Sequence, residues 1–524
     1  MGLYLNPGSG KFQMARQSEI YVDKSNILSY LNAVLGTEQR YVCVSRPRRF
    51  GKSMAANMIA AYYDRTVDAA EDFRGLNILT AETALSYTNQ YDVIQLNMQE
   101  FLSQSETVTE LIRLLKKSVL WDLLAEYPDY RYFDDTNLSR TMADIHLQTK
   151  RLFVVVIDEW DCVFREYQAD HEAQRQYLDF LREWLKDKGY LGLVYMTGIL
   201  PIKKYGTHSA LNMFDEFSMT NPRELSDFVG FTESEVRDLS DRYDRDFAEM
   251  KTWYDGYHFV GTGSVYSPRS VVAAMRSGVF DTYWNQTETF DALKIYIDMD
   301  FDGLREAVIH LLAGGRKKIN IGRFSNDMTT FHSADDVLTL LIHLGYLGYD
   351  FSKKEVFIPN REIQREYINA MEGGGWDVVV QAIQRSDSLL TATLNKDEQT
   401  VAAGIAKVHL ETSHLQYNDE NALSYTVSLA YYSARQQYDI IREFPAGNGF
   451  ADMVFLPKKH YARNPAIIVE LKWNHDAETA ISQIHEKGYG EALGDYNGRV
   501  LLVGIAYDRK TREHVCRIEE MKNN

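Results

Sequence analysis

Cysteine is scarce in this 524-residue sequence: Cys43, Cys162 and Cys516 are its only three. They lie far apart and show no metal-ligand spacing, which excludes a disulfide framework and a thiolate metal site. Cys43 and Cys162 sit in or beside apolar runs, so they read as packing residues, and this cysteine usage points to a reducing cytoplasm. No uninterrupted apolar stretch of about 20 residues exists, so no transmembrane helix is expected. The opening MGLYLNPGSGKFQMARQSEIY lacks a basic stretch leading into an apolar one, so no secretory signal is expected. Asn6 stands where N-myristoylation needs Ser or Thr. Positive charge is also short, with 57 Lys and Arg against 74 Asp and Glu and a net charge of −17. That excludes a protein coating nucleic acid through bulk charge, but not one with a local basic groove. Internal repeats and low-complexity linkers are absent too.

What is present is an ordinary globular composition, 45% hydrophobic and 25% charged, with the length of about three domains. From Tyr41 to about Phe217, short β-branched runs alternate with helical patterns. The runs are Tyr41–Ser45, Val93–Leu96, Leu152–Ile157 and Leu191–Met196. Between them, Val108, Leu111, Ile112, Leu115 and Val119 keep helical spacing, as do Tyr177, Phe180, Leu181, Trp184 and Leu185. This alternation predicts a buried parallel sheet. From about Phe231 to Met371 helical patterns dominate, interrupted by the aromatic WYDGYHFVGTGSVYSP. LIHLGYLGYD followed by KKEVFIPNREI fits the helix, turn and hairpin of a winged-helix-like lid. Helices follow from about Glu372, then strand-like runs at Phe450–Leu456, Ala466–Trp473 and Arg499–Ala506. The expected fold is α/β throughout: a P-loop parallel sheet over 1–230, a helical, winged-helix-like region over 231–371, and a restriction-endonuclease-like α/β domain over 372–524.

VSRPRRFGKSMAANMIAAYY runs strand, loop, Gly51-Lys52-Ser53, helix. That is the context of a phosphate-binding loop, where backbone N–H groups and the helix dipole hold phosphate oxygens. Lys52 is expected to reach the β- and γ-phosphates of ATP, and Ser53 to ligate Mg²⁺. Arg46 occupies the usual first glycine of G-x-x-x-x-G-K-[ST], so Arg46, Arg48 and Arg49 add charge beside the phosphates. The expected cradle is Arg46, Arg48, Arg49, Phe50, Gly51, Lys52, Ser53 and Met54. A GKS at a helix start also arises by chance. The apolar strand ending in Asp158-Glu159 counts against chance: Asp158 is expected to hold Mg²⁺ through water and Glu159 to polarise the attacking water. An acidic turn capping a buried strand is the alternative. Thr197, at the tip of another strand, and Lys203, Lys204 or Arg223 are further candidates to meet the γ-phosphate.

The C-terminal EFPAGNGFADMVFLPKKHYARNPAIIVELKW suggests a turn at Gly447–Gly449 and two strands. Glu470 and Lys472, two apart, share one face, with Ile467, Val469 and Leu471 on the other. A hairpin then presents Asp452, Glu470 and Lys472 together. Two carboxylates suit Mg²⁺ or Mn²⁺, the metal activates a water, and Lys472 steadies the developing charge. Glu420, opening a helix, is a candidate third carboxylate, and Gln483 lies on a helix able to pass over the site. An edge hairpin bearing a surface Glu–Lys pair is the alternative.

RPRRFGKS, the IDEWD strand end, GFTESEV, WYDGYHF and the C-terminal D…ELK together resemble an AAA-ATPase-like family fused to a PD-(D/E)XK nuclease domain, a bacterial family. The resemblance covers nearly the whole chain, and RPRRFGKS is that family's form of the loop. It implies Lys52 and Ser53 as nucleotide ligands, Asp158 and Glu159 as the acidic pair, and Asp452, Glu470 and Lys472 as the nuclease triad. It also implies mobile-element or phage-defence biology. The leading expectation is an ATP-regulated nuclease acting on DNA or RNA, with homo-oligomers possible. The alternatives are a nucleotide switch that binds without cutting, and a P-loop phosphotransferase. Trp253–Phe259 is expected to pack as a hinge between ATPase core and lid.

Overall fold

The computed structural model describes residues 2–521 apart from 81–83, 203–210, 285–292, 294, 298–301, 313, 326–327, 330, 372–376, 413–419, 433, 435–436, 447–448, 459–460, 488–492, 494–495 and 497. The chain divides into two compact units, Met1–Glu288 with Lys317–Arg365, and Thr289–Arg316 with Glu366–Asn524. Among the described residues no helix is long and apolar enough to cross a membrane.

The first unit is built on β1 (Tyr41–Ser45), β2 (Asp92–Asn97), β3 (Phe153–Asp158), β4 (Leu191–Gly198) and β5 (Asp215–Phe217), in the order β2-β3-β4-β1-β5. Every pairing is parallel. Every residue of β1, β3 and β4 is buried, as strands covered on both faces require. The four apolar runs read from the sequence are β1 to β4. The register pairs Asn97 with Asp158, Asp158 with Thr197, and Ser45 with Gly198. The carboxyl ends of four strands therefore finish level, and the loops leaving them share one edge, where open α/β sheets bind ligands. α1 (Lys52–Tyr63) leaves β1 through Gly51, at φ 92°. α2 (Cys162–Glu166) follows β3 after a short turn.

Two small antiparallel sheets complete this unit. β6 (Phe231–Thr232), β7 (Tyr257–Phe259) and β8 (Gly263–Tyr266) run in the order β6-β8-β7. They lie beside a core of Val236, Leu239, Met250, Trp253, Tyr254, Tyr266 and Val271, the last on α3 (Pro268–Ser277). Gly256 in the aromatic segment is obligatory: its φ is 116°, and a Cβ there would lie 2.1 Å from Pro359 O. The helix Ala334–Leu344 is followed by the hairpin β10 (Gly348–Asp350) and β11 (Glu355–Phe357), with β9 (Lys317–Lys318) added beside β11. That is the helix, turn and hairpin expected from the sequence, with one further strand.

The second unit carries β12 (Tyr438–Ala446), β13 (Gly449–Pro457), β14 (Ala466–Trp473), β15 (Val500–Asp508) and β16 (Glu513–Glu520), in sequential order. Only β14 and β15 are parallel. Packed with this sheet are α4 (Glu398–Thr412), α5 (Glu420–Ala430) and α6 (Ala477–Glu486). α6 is the crossover from β14 to β15, and its Ile481 and Ile484 pack on Val454, Ile468 and Leu502. α5 continues into Tyr431, which stacks edge-on against Phe455 at 5.3 Å between ring centres. Val454 and Phe455 are neighbours on a pleated strand and so project to opposite faces. Gly504 lets α6 come close, since a Cβ there would stand 2.5 Å from Ala477 O.

Candidate functional site

A cleft of about 920 Å³ opens at the carboxyl edge of the first sheet. Arg48, Arg49, Phe50, Gly51, Lys52, Ser53 and Met54 line it together with Glu159. The loop reaches this shape through left-handed backbone at Arg49, φ 68°, and Gly51, φ 92°. Behind it, Phe50 is buried and meets Tyr257 and Trp284 edge-on, with ring centres 5.4 and 6.2 Å away. Arg49 donates to Tyr283 O at 2.7 Å. Tyr257, in the aromatic segment, thus braces the phosphate loop.

Lys52 is buried, and its ammonium donates to Pro47 O at 2.9 Å, across its own loop. Burial lowers its pKa, against the pull of Glu159, Asp158 and Asp161. The Ser53 hydroxyl hydrogen-bonds Asp158. The two expected Mg²⁺ ligands therefore stand side by side, one from α1 and one from the tip of β3. Burial raises the Asp158 carboxyl, and that Ser53 bond opposes the rise. An ion at this point would exchange that hydrogen bond for the hard Ser53 oxygen as a ligand, with Asp158 holding it through water.

Arg46 corrects the sequence expectation. It is fully buried and donates to Ser45 O and Phe217 O at 2.9 and 2.8 Å and to Leu225 O at 3.1 Å, with its guanidinium over the Phe259 ring. It ties β1 to β5 and does not line the cleft. Thr197 is likewise buried and donates to Val44 O. Arg223 stacks on Phe217, ion-pairs with Asp215 and does not line the cleft. Lys203 and Lys204 lie outside the described residues.

In the second unit, Met453 pairs with Val469 in antiparallel register, which sets Asp452 opposite Glu470. Glu470 is 2% exposed. Its Oε1 accepts from Lys472 Nζ at 3.0 Å and from Gln483 Nε2 of α6. Its Oε2 is buried and has no hydrogen-bond partner among the described residues. Asp452 accepts from Leu471 N at 2.7 Å, which fixes it beside the pair. Burial first, and the Asp452 charge second, push the Glu470 carboxyl up to about 6, against the pull of Lys472. A buried, bare carboxylate oxygen facing a second carboxylate suits a divalent cation, so these residues fit one. Among the described residues, no group of three or more His, Cys, Asp or Glu side chains is arranged to hold a metal. Glu420 opens α5, but its side chain lies outside the described residues, as do Gly447 and Asn448.

Comparison with known proteins agrees with this division. Residues 8–207 match the AAA-ATPase_like family, described as a predicted AAA-ATPase. Residues 419–516 match the PD-(D/E)XK nuclease superfamily. The chain joins an AAA-ATPase-like domain to a PD-(D/E)XK-superfamily domain. It is also 21% identical over 514 residues, 94% of either chain, to an uncharacterized protein in the vnfD 5′ region of Azotobacter chroococcum mcd 1. Among solved structures it is similar to the Walker-type ATPase PABY2304 of Pyrococcus abyssi, at 13% identity and a TM-score of 0.33 over 66% of this chain and 94% of that one. It is similar to the Aeropyrum pernix ORC2 protein at 13% identity and a TM-score of 0.31 over 70% and 98%.

Sequence reasoning missed four cations that line the cleft: Lys24, Arg165, Arg269 and Arg276. Arg165 lies on α2, four residues past Asp161, a spacing that places the two on one helical face and was the available signal. Arg269 and Arg276 come from α3, far along the chain, and no local motif marks them.

Proposed function

We propose that the chain binds and hydrolyses ATP with Mg²⁺ in the AAA-ATPase-like cleft, and that ATP occupancy governs a metal-dependent cut of DNA or RNA in the PD-(D/E)XK-superfamily domain. The nuclease half of this reading is carried by the bare, buried Oε2 of Glu470 opposite Asp452. A divalent cation held there lowers the pKa of a bound water and offsets charge on the phosphate. Lys472, two residues on, adds a positive charge at the same face. The ATP half rests on Ser53 bonded to Asp158, with Lys52 and Glu159 in the same cleft. The functional domains in this reading are 1–230, 231–371 and 372–524, in the cytoplasm of a bacterium, with phage defence or mobile-element biology as the setting. Homo-oligomers are compatible with it.

The test uses purified full-length chain. Lys52→Ala abolishes ATP binding and Glu159→Gln traps bound ATP. Asp452→Ala or Lys472→Ala abolishes Mg²⁺- or Mn²⁺-dependent cleavage and leaves ATP hydrolysis intact. Cleavage that survives changes at Asp452, Glu470 and Lys472 rejects the nuclease assignment.

A second reading is a nucleotide switch whose C-terminal domain grips nucleic acid or protein without cutting. It is favoured by the bond from Leu471 N to Asp452 and by the Lys472–Glu470 ion pair, which already engage the two carboxylates. Mn²⁺ bound between Asp452 and Glu470 after a soak favours cleavage. A metal-free site at saturating Mn²⁺ favours the switch.

A further inference from the structure

Glu159 is not free to act as a base. Its carboxylate is ion-paired with the Nη2 end of Arg165, a side chain only 10% exposed. Its backbone sits in the left-handed region at φ 54°, a conformation a glutamate keeps only when its surroundings impose it. The neck of Arg165 is drawn by charge to Asp161, its Nε lying 3.5 Å from Asp161 Oδ2. Asp161 is in turn fixed, its Oδ2 accepting from Ile199 N and Leu200 N just beyond β4, at 3.0 and 2.8 Å. Arg165 therefore has a fixed base and a reaching end. Arg165 lines the same cleft as Gly51, Lys52 and Ser53, and its charge is felt at Lys52.

We propose that Arg165 is a positioning residue that exchanges the Glu159 carboxylate for the terminal phosphate of a bound nucleoside triphosphate, releasing Glu159 to take a proton from the attacking water. This rests on the ATP reading above. With a diphosphate bound there is no γ-phosphate to compete, and the Arg165–Glu159 pair stays closed. With a triphosphate bound, the guanidinium gains a doubly acceptor anion suited to its fork geometry. The water oxygen then attacks the γ-phosphorus, Glu159 takes the water's proton, and the bond from γ-phosphorus to the bridging oxygen breaks toward ADP. Once phosphate leaves, the proton passes to solvent and Arg165 returns to Glu159. Release of the base is thus conditional on the nucleotide that needs it.

The test is calorimetric titration of the full-length chain, in Mg²⁺, with ADP and with the non-hydrolysable β,γ-imido analogue of ATP. The wild type binds the analogue more tightly than ADP. Arg165→Met weakens the analogue about tenfold and leaves ADP within about twofold, while Arg165→Lys keeps part of the preference. Glu159→Gln removes the competing charge, so it tightens the analogue about threefold or more without moving ADP. In Arg165→Met/Glu159→Gln that gain disappears, because the two residues share one interaction. Arg165 also pairs with buried Asp161, so Arg165→Met risks misfolding. Glu159→Gln then decides alone, and an unchanged analogue-to-ADP ratio overturns the exchange. So does an undiminished preference in folded Arg165→Met, or a Glu159→Gln gain that persists in the double variant. A wild-type chain that binds neither nucleotide overturns the ATP reading itself, and the exchange with it.

Discussion

Replacing Glu470 by Gln removes a charge while keeping the side-chain shape and the acceptor at Oε1. The size of the effect follows from the site. Burial and the Asp452 charge raise the Glu470 carboxyl from its usual 4.5 to about 6, which corresponds to about 2 kcal/mol between its two protonation states. The sign follows from linkage: a carboxyl raised on folding makes the native state bind more protons between pH 4.5 and 6. Its favourable contribution is therefore complete below pH 4.5 and lost as pH rises through 6. At pH 7 the wild type carries a buried carboxylate that, on the proposed function, a divalent cation would compensate. The two units preclude a single global midpoint, so the assay is hydrogen exchange at the amides of β14, corrected for intrinsic rates, in the full-length chain. Between pH 4.5 and 7 the wild type should lose about 2 kcal/mol of protection relative to Glu470→Gln. At pH 7, Mn²⁺ at one hundred times its Kd should return about 2.7 kcal/mol to the wild type and nothing to the variant. Parallel pH curves for the two proteins, or equal protection of both by Mn²⁺, refute the assignment of Glu470 as a strained metal ligand.

Two further outcomes are expected of the same unit. Gly504→Val drives a side chain into Ala477 O and pushes α6, with Gln483, away from Glu470; unfolding by urea should show a loss of about 2–4 kcal/mol in this unit, with ATP binding unchanged. His409 Nδ1 and His514 Nε2 lie 2.9 Å apart beside Tyr507 and Trp473. Burial lowers both imidazoles, and the neighbouring His409 helps bring His514 down to about 4. A depressed imidazole contributes stability that is complete above pH 6.5 and lost as pH falls toward 4, so acid should cost about 3 kcal/mol through His514, and His514→Phe should remove that part and leave only the dependence due to His409. This runs opposite in sign to the Glu470 effect, and the comparison of wild type with Glu470→Gln cancels it.

Three of the strands that escaped the sequence reading share a position. β5, β12 and β16 are all edge strands of their sheets. β5 carries Asp215 and Glu216. β12 carries Asp439, Arg442, Glu443 and Pro445, and β16 alternates exposed with buried residues. Edges are kept polar because an apolar edge invites pairing with another chain, so a search for apolar runs passes over them. β2 is the instructive exception. It is also at an edge, yet it reads as VIQL. The N-terminal segment covers it, with Asn6 N donating to Val93 O and Gln95 N to Tyr4 O, so its edge is spent inside the chain. The GKS loop and the acid-tipped β3 were legible because each is local: a few adjacent residues specify strand, turn and helix. Arg46 was misplaced because a motif position fixes where a residue sits along the chain and not which way its side chain turns; here three carbonyls claim it.

Bulk charge misleads about this protein for the same reason. A chain of net charge −17 repels anions at long range. The cleft inverts that locally, lined by Lys24, Arg48, Arg49, Lys52, Arg165, Arg269 and Arg276 against only Glu19, Glu159 and Glu166. Two of the three acids are already engaged, Glu19 with Arg276 and Glu159 with Arg165. These cations come from four separate stretches, Lys24 near the amino end, the loop into α1, α2 and α3, and only the loop is strongly basic as a window of sequence. Their field converges only after folding, at the point where the amino end of α1 adds its own positive dipole. An acidic surface with one focused basic cleft rejects polyanions in general while admitting a compact one. On the function proposed above, that compact anion is the triphosphate, and any longer nucleic-acid substrate falls to the carboxylate pair of the second unit.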